Sequence, residues 1–556
     1  MSSTKIRSAA FSLATVILLL LVWQVVSGKP SRDDLYTYTK LCSNIAFRIE
    51  ARYVEEIDTK DLIYAGIKGM MKTLDPFSEF LESKAYDRIM ETTSGRYSGL
   101  GMTIFMKDNV VTVVSPMEGT PAYRMGLKAG DKIVKIDGES TEGMTTEEAS
   151  RLMRGLEGTQ VTLTIEREGV EEPLEYTITR AVIEIKTVPY YGVVEGKYGY
   201  IRLASFGQQA DAELHEAIED LKSRNIEGLI LDLRSNGGGL LTEAVRTTNL
   251  FLEKGNLIVY TRGRVQGQNK EYNSLSQPVL GEIPLVVLVD QNSASASEIL
   301  SGAVQDWDRG IIVGNPTFGK GLVQQIYDMG DGTALKLTTA KWYIPSGRCI
   351  QKESHSRPHS EQITETEPDS SEAEKKREEF RTKGGRIVYG GGGVVPDIEL
   401  EKRSYTPLHL NLERLSMFFD FSIRYTAQHP ELPEDFEVND EIIQEFKGFL
   451  KEKDFSYKNS LELDLEKLEK TAEDEGAAER MGKQIEDLRW AIEVEKEREF
   501  EENLDRIKKS MKRDMLTRLY GQKAVYEQVV LKTDRHIQKA LELLKNKDEY
   551  EKILKG

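Results

Sequence analysis

The sequence is poor in the residues that usually carry redox and metal chemistry. Its 556 residues include only two cysteines, Cys42 and Cys349, and six histidines. Two cysteines build no disulfide framework. The histidines are scattered. His355 and His359 are spaced i,i+4, but they lie in a polar, Ser-rich stretch and read as solvated loop residues rather than as metal ligands. Positive charge is short as well: 75 Lys and Arg stand against 92 Asp and Glu, a formal charge of −17. Contact with phosphates needs Lys and Arg, so nucleic acid is excluded as a general partner. Apolar material is not scarce. Hydrophobic residues make up 39% and charged residues 30%, enough to build cores and to exclude wholesale disorder. The length predicts roughly two to four domains.

One long hydrophobic run is present, at the N-terminus. Lys5 and Arg7 precede an apolar stretch from Ala9 to Val26 that only Ser12, Thr15 and Gln24 interrupt. A basic flank before an apolar core is an export signal. The run is about eighteen residues, just long enough to span a bilayer. Residues 1–30 are therefore expected to be a signal peptide or a membrane anchor. A retained anchor is preferred, although Ser27 and Gly28 leave cleavage open. The basic end stays cytoplasmic, which puts the body of the protein outside the cytoplasm.

The remaining chain divides by pattern. Residues 34–93 read as helices, with Ile45, Ile49, Tyr53 and Ile57 recurring every fourth position until Leu74-Asp75-Pro76 breaks the run. Residues 95–181 change to short β runs with Gly-rich turns and two short helices. Residues 186–345 alternate strand and helix, with short β-rich runs at Gly199–Leu203, Gly228–Leu233, Pro284–Val289 and Gly310–Val313 in the manner of a buried sheet. A polar, acidic stretch at 353–382 reads as an exposed insertion. Ile387-Val388-Tyr389 and Val394-Val395 look like late strands. Residues 401–556 are charged and helical. Ile485, Leu488 and Ile492 share one helical face there, and Ile537, Leu541 and Leu544 share another.

Two segments carry functional signals. In Ser98-Gly99-Leu100-Gly101-Met102, glycines leave backbone N–H groups free to meet a chain-terminal carboxylate, and the strand that follows offers an edge for β-augmentation. With Gly119-Thr120-Pro121-Ala122 and Gly126-Leu127-Lys128-Ala129-Gly130-Asp131 behind it, this segment resembles a PDZ domain of the circularly permuted type found in bacterial proteases. The second signal is Asp290-Gln291-Asn292-Ser293-Ala294-Ser295-Ala296-Ser297-Glu298, at a predicted strand-to-helix turn. A serine there is exposed, and the helix start favours developing negative charge. The alternation of serine with alanine does not select among the three serines, and all three suit helix caps.

A nucleophilic serine needs a base. No histidine lies between 216 and 354. Lys320, in Thr317-Phe318-Gly319-Lys320-Gly321, can serve if its amine is neutral, and Gln324 stands four residues on to hold it. Ser235-Asn236-Gly237-Gly238-Gly239 follows a strand, so its N–H groups, with that of Ala296, suit the oxygen of a tetrahedral intermediate. Gly314 to Gly321 nearly matches a phosphate loop. Gly321 stands where the Mg²⁺-binding hydroxyl belongs, however, and a strand pattern follows instead of a helix.

Together the three motifs, with Leu74-Asp75-Pro76-Phe77-Ser78 ahead of them, resemble the carboxyl-terminal processing proteases of peptidase family S41 over residues 40–400. The resemblance implies an α/β protease core, a mixed sheet with helices of the ClpP/crotonase-like kind. An inserted PDZ domain, N-terminal helices and a C-terminal helical extension complete it. It implies a serine endopeptidase that cleaves exported proteins near their C-termini. The family's nucleophile matches Ser295, its lysine Lys320, and the glutamine of some members Gln324. The oxyanion glycine falls at Gly237 or Gly238, with Ala296 as the second donor, and Asp306 matches a structural aspartate. Tail binding falls to Gly99, Leu100, Gly101 and Met102. No metal or organic cofactor is implied. The expected partners are protein C-terminal tails and the membrane, and helical ends suit a homodimer. The expected place is the bacterial periplasm or cell envelope, at the inner membrane. Two stretches depart from the pattern: the 353–382 insertion and the tail after 401. A rival reading is an inactive tail-binding adaptor on the same fold.

Overall fold

A computed structural model describes residues 32–353, 377–401 and 405–556. The expected signal or anchor at 1–30, His355, His359 and most of the acidic insertion lie outside the described residues. Among the described residues, no helix is long and apolar enough to cross a membrane.

The chain forms two compact units, one reaching to Phe80 and one built from Leu81–Ser356 and Glu365–Gly556. The first holds α1 (Arg32–Arg52) and α2 (Thr59–Met71). Asp58 caps α2 by accepting from the N–H groups of Lys60 and Asp61. The break at Leu74-Asp75-Pro76 is a turn closed by Asp75, which accepts from Phe77 N and Ser78 Oγ at 3.0 and 2.8 Å.

In the second unit, β1 (Arg96–Gly99) and β7 (Ala181–Glu184) pair antiparallel and bracket a small domain. Its sheet runs in the order β2 (Met102–Lys107), β3 (Val110–Pro116), β4 (Lys132–Ile136), β5 (Gln160–Glu166), β6 (Leu174–Thr179). Alternation places Val161, Leu163 and Ile165 in its core, with Val111, Val113, Ile133 and Ile178. β2 pairs with β3 alone among the described residues, so its outer edge is open. Helix α3 (Thr146–Met153), started by a Thr145–Glu148 capping box, packs beside β2. The buried Arg180 donates to the carbonyls of Met153, Leu152 and Gln160, which seals the end of α3 to the sheet.

The mainly parallel sheet has the order β8 (Tyr190–Val194), β9 (Tyr198–Arg202), β10 (Gly228–Asp232), β12 (Leu285–Val289), β13 (Ile311–Gly314), β16 (Ile398–Glu399). The β8–β9 pair is antiparallel and the rest are parallel. The central strands are apolar throughout because both faces are covered. On one face Ile201, Leu229, Leu231, Val287 and Val289 meet α4 (Ala210–Ser223), α5 (Leu241–Asn249) and α6 (Ala296–Asp306). A second sheet joins β11 (Leu257–Gly263), β14 (Leu322–Gly330) and β15 (Thr333–Tyr343), with β15 central. This is the mixed-sheet α/β core expected from the sequence.

Two late details differ from the sequence reading. Val394-Val395 is not a strand; Val394 instead bonds Thr317, donating to its Oγ1 at 2.7 Å and accepting from its N–H at 3.1 Å. The end of the acidic stretch is not loop either. Glu379–Arg381 pairs with Ile387–Tyr389 as a hairpin, turned at Gly385 with φ +95°.

The C-terminal helices do two things. The group α7 (Pro407–Arg414), α8 (Met417–Gln428), α9 (Asp440–Glu452), α10 (Ala478–Glu502) and α11 (Leu504–Leu519) builds its own core around Phe418, Phe421, Phe446, Met511 and Met515. It touches the small domain through a Lys107–Asp420 ion pair at 2.6 Å and an edge-on Phe105–Phe419 contact at 5.5 Å. Of the face Ile485, Leu488 and Ile492, only Ile492 is buried. Helix α12 (Arg535–Lys545) packs elsewhere. Its Ile537, Ala540, Leu541 and Leu544 cover the second face of the mainly parallel sheet over Ile230, Val286, Leu288, Ile311 and Val313. A fully buried residue of this kind is worth about 1.5–3 kcal/mol. Several together rival a domain's net stability of roughly 5–15 kcal/mol, so α12 belongs to the core rather than to an appendage.

The helical group also carries a pH response. Burial of Glu413 raises its pKa, but His409, Arg513 and Ser510 outweigh that and lower it from 4.5 to about 2. A carboxyl lowered on folding stabilises above its unfolded pKa and loses that contribution as pH falls through its folded value. The melting temperature should therefore fall between pH 4.5 and 2, and Glu413→Gln should flatten that fall. An unchanged profile in the variant would contradict this account.

Candidate active site

Strand β12 ends at Val289, and the chain turns through Asp290–Ala294 into α6, whose N-cap is Ser295. The three serines of the motif separate at this point. Ser293 and Ser297 are fully buried. The Ser293 hydroxyl donates to Leu233 O at 2.8 Å and that of Ser297 to Asn236 O at 2.8 Å. Both fasten the glycine-rich turn that follows β10. Ser295 alone is half-exposed, and it holds φ +55° and ψ −110°. A non-glycine residue there costs on the order of 1–3 kcal/mol and persists only where its surroundings hold it.

Glu298 holds it. The carboxylate is fully buried and accepts four hydrogen bonds. Its Oε2 takes the N–H of Ser295 at 2.8 Å and that of Lys320 at 2.9 Å. Its Oε1 takes the Thr317 hydroxyl at 2.6 Å and the Gly319 N–H at 2.7 Å. Two amides that share one oxygen lie no farther apart than those two bonds allow. One carboxylate thus joins the backbone of the half-exposed serine to the backbone of the lysine loop. Burial raises the Glu298 pKa, and the hydroxyl and the three amides work against that rise.

The lysine loop, between β13 and β14, is fixed at further points. Phe318 N donates to Ser293 O at 3.0 Å, Lys352 N to Gly319 O at 3.1 Å, and Gly321 N to Gln351 Oε1 at 2.7 Å. Lys320 itself is half-buried. β14 then begins as a strand at Leu322, which removes the helix that a phosphate loop requires. Gln324 stands on β14 at a β-bulge, and its buried Nε2 has no hydrogen-bond partner among the described residues.

The glycine turn adjoins Ser295 closely. A Cβ on Gly238, at φ +96°, would lie 2.7 Å from Ala294 O and 2.9 Å from both Ala296 N and Ser295 Cβ. Only glycine fits there. The Gly238 N–H is committed to Asn236 Oδ1 at 2.9 Å. The N–H groups of Gly237 and Ala296 make no hydrogen bond within the described residues. Asn236 O accepts from Ala294 N at 3.0 Å as well as from Ser297, so the turn and the serine loop are stitched together.

Below the turn, at the end of β10, Asp232 is buried. Burial pushes its carboxyl up, but Arg234 and Arg202 outweigh that and hold it below the usual range. Asp306 is buried too. It accepts from Arg348 Nη2 at 2.8 Å and Ser346 N at 2.9 Å, a packing role.

Sequence reasoning left Glu298 without a role. The signal was present: Ser295 followed three residues later by a glutamate is the spacing of a capping box. Gln351 had no local signal, because it meets Gly321 from thirty residues away.

In the small domain, Gly101 holds φ +78° under Thr120, whose side chain a Cβ there would strike at 2.4 Å. The N–H groups of Leu100 and Gly101, ahead of the open β2 edge, have no partner within the described residues.

Comparison with known proteins identifies the family. Residues 197–361 match the family model for peptidase family S41, residues 112–167 match a PDZ domain, and residues 408–544 match the C-terminal helical domain of a probable PDZ-protease. The carboxy-terminal-processing protease of Bartonella bacilliformis is 41% identical over 352 residues, covering 62% of this chain and 80% of that protein. Carboxy-terminal processing protease CtpA of Bacillus subtilis is 36% identical over 55% of this chain and 65% of its own length. Among solved structures, the photosystem II D1 C-terminal processing protease is 28% identical, with a TM-score of 0.34 over 63% of this chain and 84% of that one. The chain belongs to the carboxy-terminal-processing proteases of peptidase family S41 and is a serine-type peptidase that carries a PDZ domain.

Proposed function

We propose that the chain is a Ser-Lys endopeptidase in which Ser295 is the nucleophile and Lys320 the base. The observation that carries this reading is the Glu298 carboxylate, which holds Ser295 and Lys320 by one oxygen. The reaction needs the Lys320 amine neutral. It removes the Ser295 proton as Oγ attacks the scissile carbonyl, and the amides of Ala296 and Gly237 receive the oxyanion. Of the two glycines expected from the sequence, Gly237 is favoured because the Gly238 N–H already has a partner. Collapse breaks the C–N bond, and the Lys320 ammonium returns the proton to the departing amine. Water, deprotonated by Lys320, then hydrolyses the ester. Gln324 steadies the amine from β14. No step calls for a metal or an organic cofactor.

Substrates on this reading are exported proteins with apolar C-terminal tails. The tail adds to the β2 edge, and its carboxylate meets the amides around Gly99, Leu100, Gly101 and Met102. The working division is 34–93 lead-in, 95–181 PDZ domain, 186–400 protease core and 401–556 helical region. Residues 1–30 place the enzyme at the bacterial inner membrane, facing the periplasm. The exposed Leu35, Tyr36 and Phe47 on α1 suit a homodimer.

Tail recognition is tested with one peptide substrate prepared with a free C-terminal carboxylate and as its amide. Losing a charged hydrogen-bond acceptor costs about 1.5–3 kcal/mol, so KM should rise about ten-fold or more for the amide. Equal KM values would refute carboxylate recognition.

A further inference from the structure

Resting on the catalytic assignment above, we propose that Asp534, at the start of α12, is a positioning residue that holds the oxyanion turn through Arg234. Arg234 is the residue that leads out of β10 into Ser235-Asn236-Gly237. Its own N–H and its Nε both donate to Asp232 Oδ1 at 3.0 Å, and its Nη2 donates to Asp232 Oδ2 at 2.6 Å. That clamp uses one side of the guanidinium. On the other side, Nη1 donates to both oxygens of Asp534, at 3.0 and 2.8 Å. The two partners lie 300 residues apart in sequence. The strand-to-turn exit is thus gripped between a core carboxylate and one supplied by the C-terminal helices.

Charge balance calls for this second carboxylate. Arg202 also meets Asp232, donating to its carbonyl at 3.1 Å with its carboxylate at 3.6 Å. Two guanidinium groups around one buried carboxylate leave a positive excess, and Asp534 cancels it. The arginine and aspartate side chains are only 17% and 26% exposed, so solvent screens the excess weakly. The Tyr200 hydroxyl completes the cluster by donating to Asp232 Oδ2 at 2.8 Å. Tyr190 stacks on Tyr526 at 4.4 Å, and a π-helical turn, Tyr526–Val530, leads the chain toward Asp534.

Downstream of Arg234 the turn has little slack. Ser235, at φ +54°, donates its N–H and hydroxyl to Asp290, and Asn236 is bonded to the serine loop. A shift at Arg234 is therefore passed to Gly237. Sub-ångström placement of an oxyanion donor matters because one such donor carries about 10²–10³-fold in kcat.

Asp534→Asn is the informative variant. Asp534 also caps α12, accepting from His536 N at 2.9 Å, and asparagine caps a helix equally well. The variant removes the charge and keeps the cap. The full chain is compared for peptide kcat and KM, melting temperature, and the rate and end point of labelling by a fluorophosphonate. Asp534→Asn is expected to lower kcat and the labelling rate ten-fold or more. KM should stay within about two-fold, and labelling should reach the wild-type end point. Asp534→Glu should recover part of the rate. Leu541→Ala, in the same helix but pointing into the sheet, should lower the melting temperature while the folded enzyme keeps its kcat. An unchanged kcat in Asp534→Asn overturns the proposal. So does a loss matched by a lower labelling end point, which would mean a folding role only. If Ser295→Ala still reacts with the probe, the catalytic assignment fails and this proposal fails with it. An inert Ser295→Ala beside a fully active Asp534→Asn removes this proposal alone.

Discussion

Ser295→Ala should lower kcat/KM by on the order of 10⁴-fold or more, with the chain still folded. Losing a serine nucleophile removes covalent catalysis, and only binding and the oxyanion donors remain. The fold should tolerate the change because Ser295 is half-exposed and the bond from its N–H to Glu298, which holds its turn, is untouched. The cost in stability is expected to stay below about 2 kcal/mol, the upper range for losing a capping side chain. Ser293→Ala and Ser297→Ala serve as controls with another signature. Their hydroxyls bind Leu233 O and Asn236 O inside the protein, so those variants should melt earlier and keep a measurable rate. Lys320→Ala should be as inactive as Ser295→Ala, since no histidine stands in the described active site to replace it. Substantial activity in Ser295→Ala would mean that a different residue attacks. Substantial activity in Lys320→Ala would mean that a different base serves.

The second large effect is expected at Glu298, which touches no substrate. Glu298→Gln keeps size and shape but replaces one acceptor oxygen with a donor. If the remaining oxygen faces Thr317 and Gly319, the new NH₂ points at the N–H groups of Ser295 and Lys320. Reversing the amide orphans the other pair. Two donors lose their partner in either case, at about 1–3 kcal/mol each. Stability should therefore fall by about 2–6 kcal/mol, read as a lower urea midpoint. The rate should fall about 10²-fold or more, because the serine turn and the lysine loop lose the group that holds them together. Activity within a few-fold of wild type would show that the two loops are placed by other contacts. The hydrogen bond from Phe318 N to Ser293 O is then the first to examine.

Much of the architecture was legible because it rests on local signals. The apolar runs at Gly228–Leu233 and Pro284–Val289 specify buried parallel strands, and the structure moves their ends by a residue. The glycines that precede Met102 marked the turn before β2 for the same reason: only glycine takes φ +78° against Thr120. The serine motif was legible as a candidate site but not as a choice of nucleophile. What separates Ser295 from Ser293 and Ser297 is partnership with Leu233 and Asn236, sixty residues upstream, and no local pattern contains that. The place of α12 was hidden for a related reason. Ile537, Leu541 and Leu544 show that a face is apolar without showing what it covers. The misread Val394-Val395 illustrates the limit again, since β-branched residues signal extended backbone but do not name its partner.

The central claim is that Ser295 is the nucleophile and that Lys320 makes it one. The most direct measurement is peptide mapping by mass spectrometry after the folded chain has reacted with a fluorophosphonate. A single adduct on Ser295, absent from the Lys320→Ala variant, is the predicted result. An adduct on Ser293, on Ser297 or elsewhere, or equal labelling of Ser295 without Lys320, would contradict it.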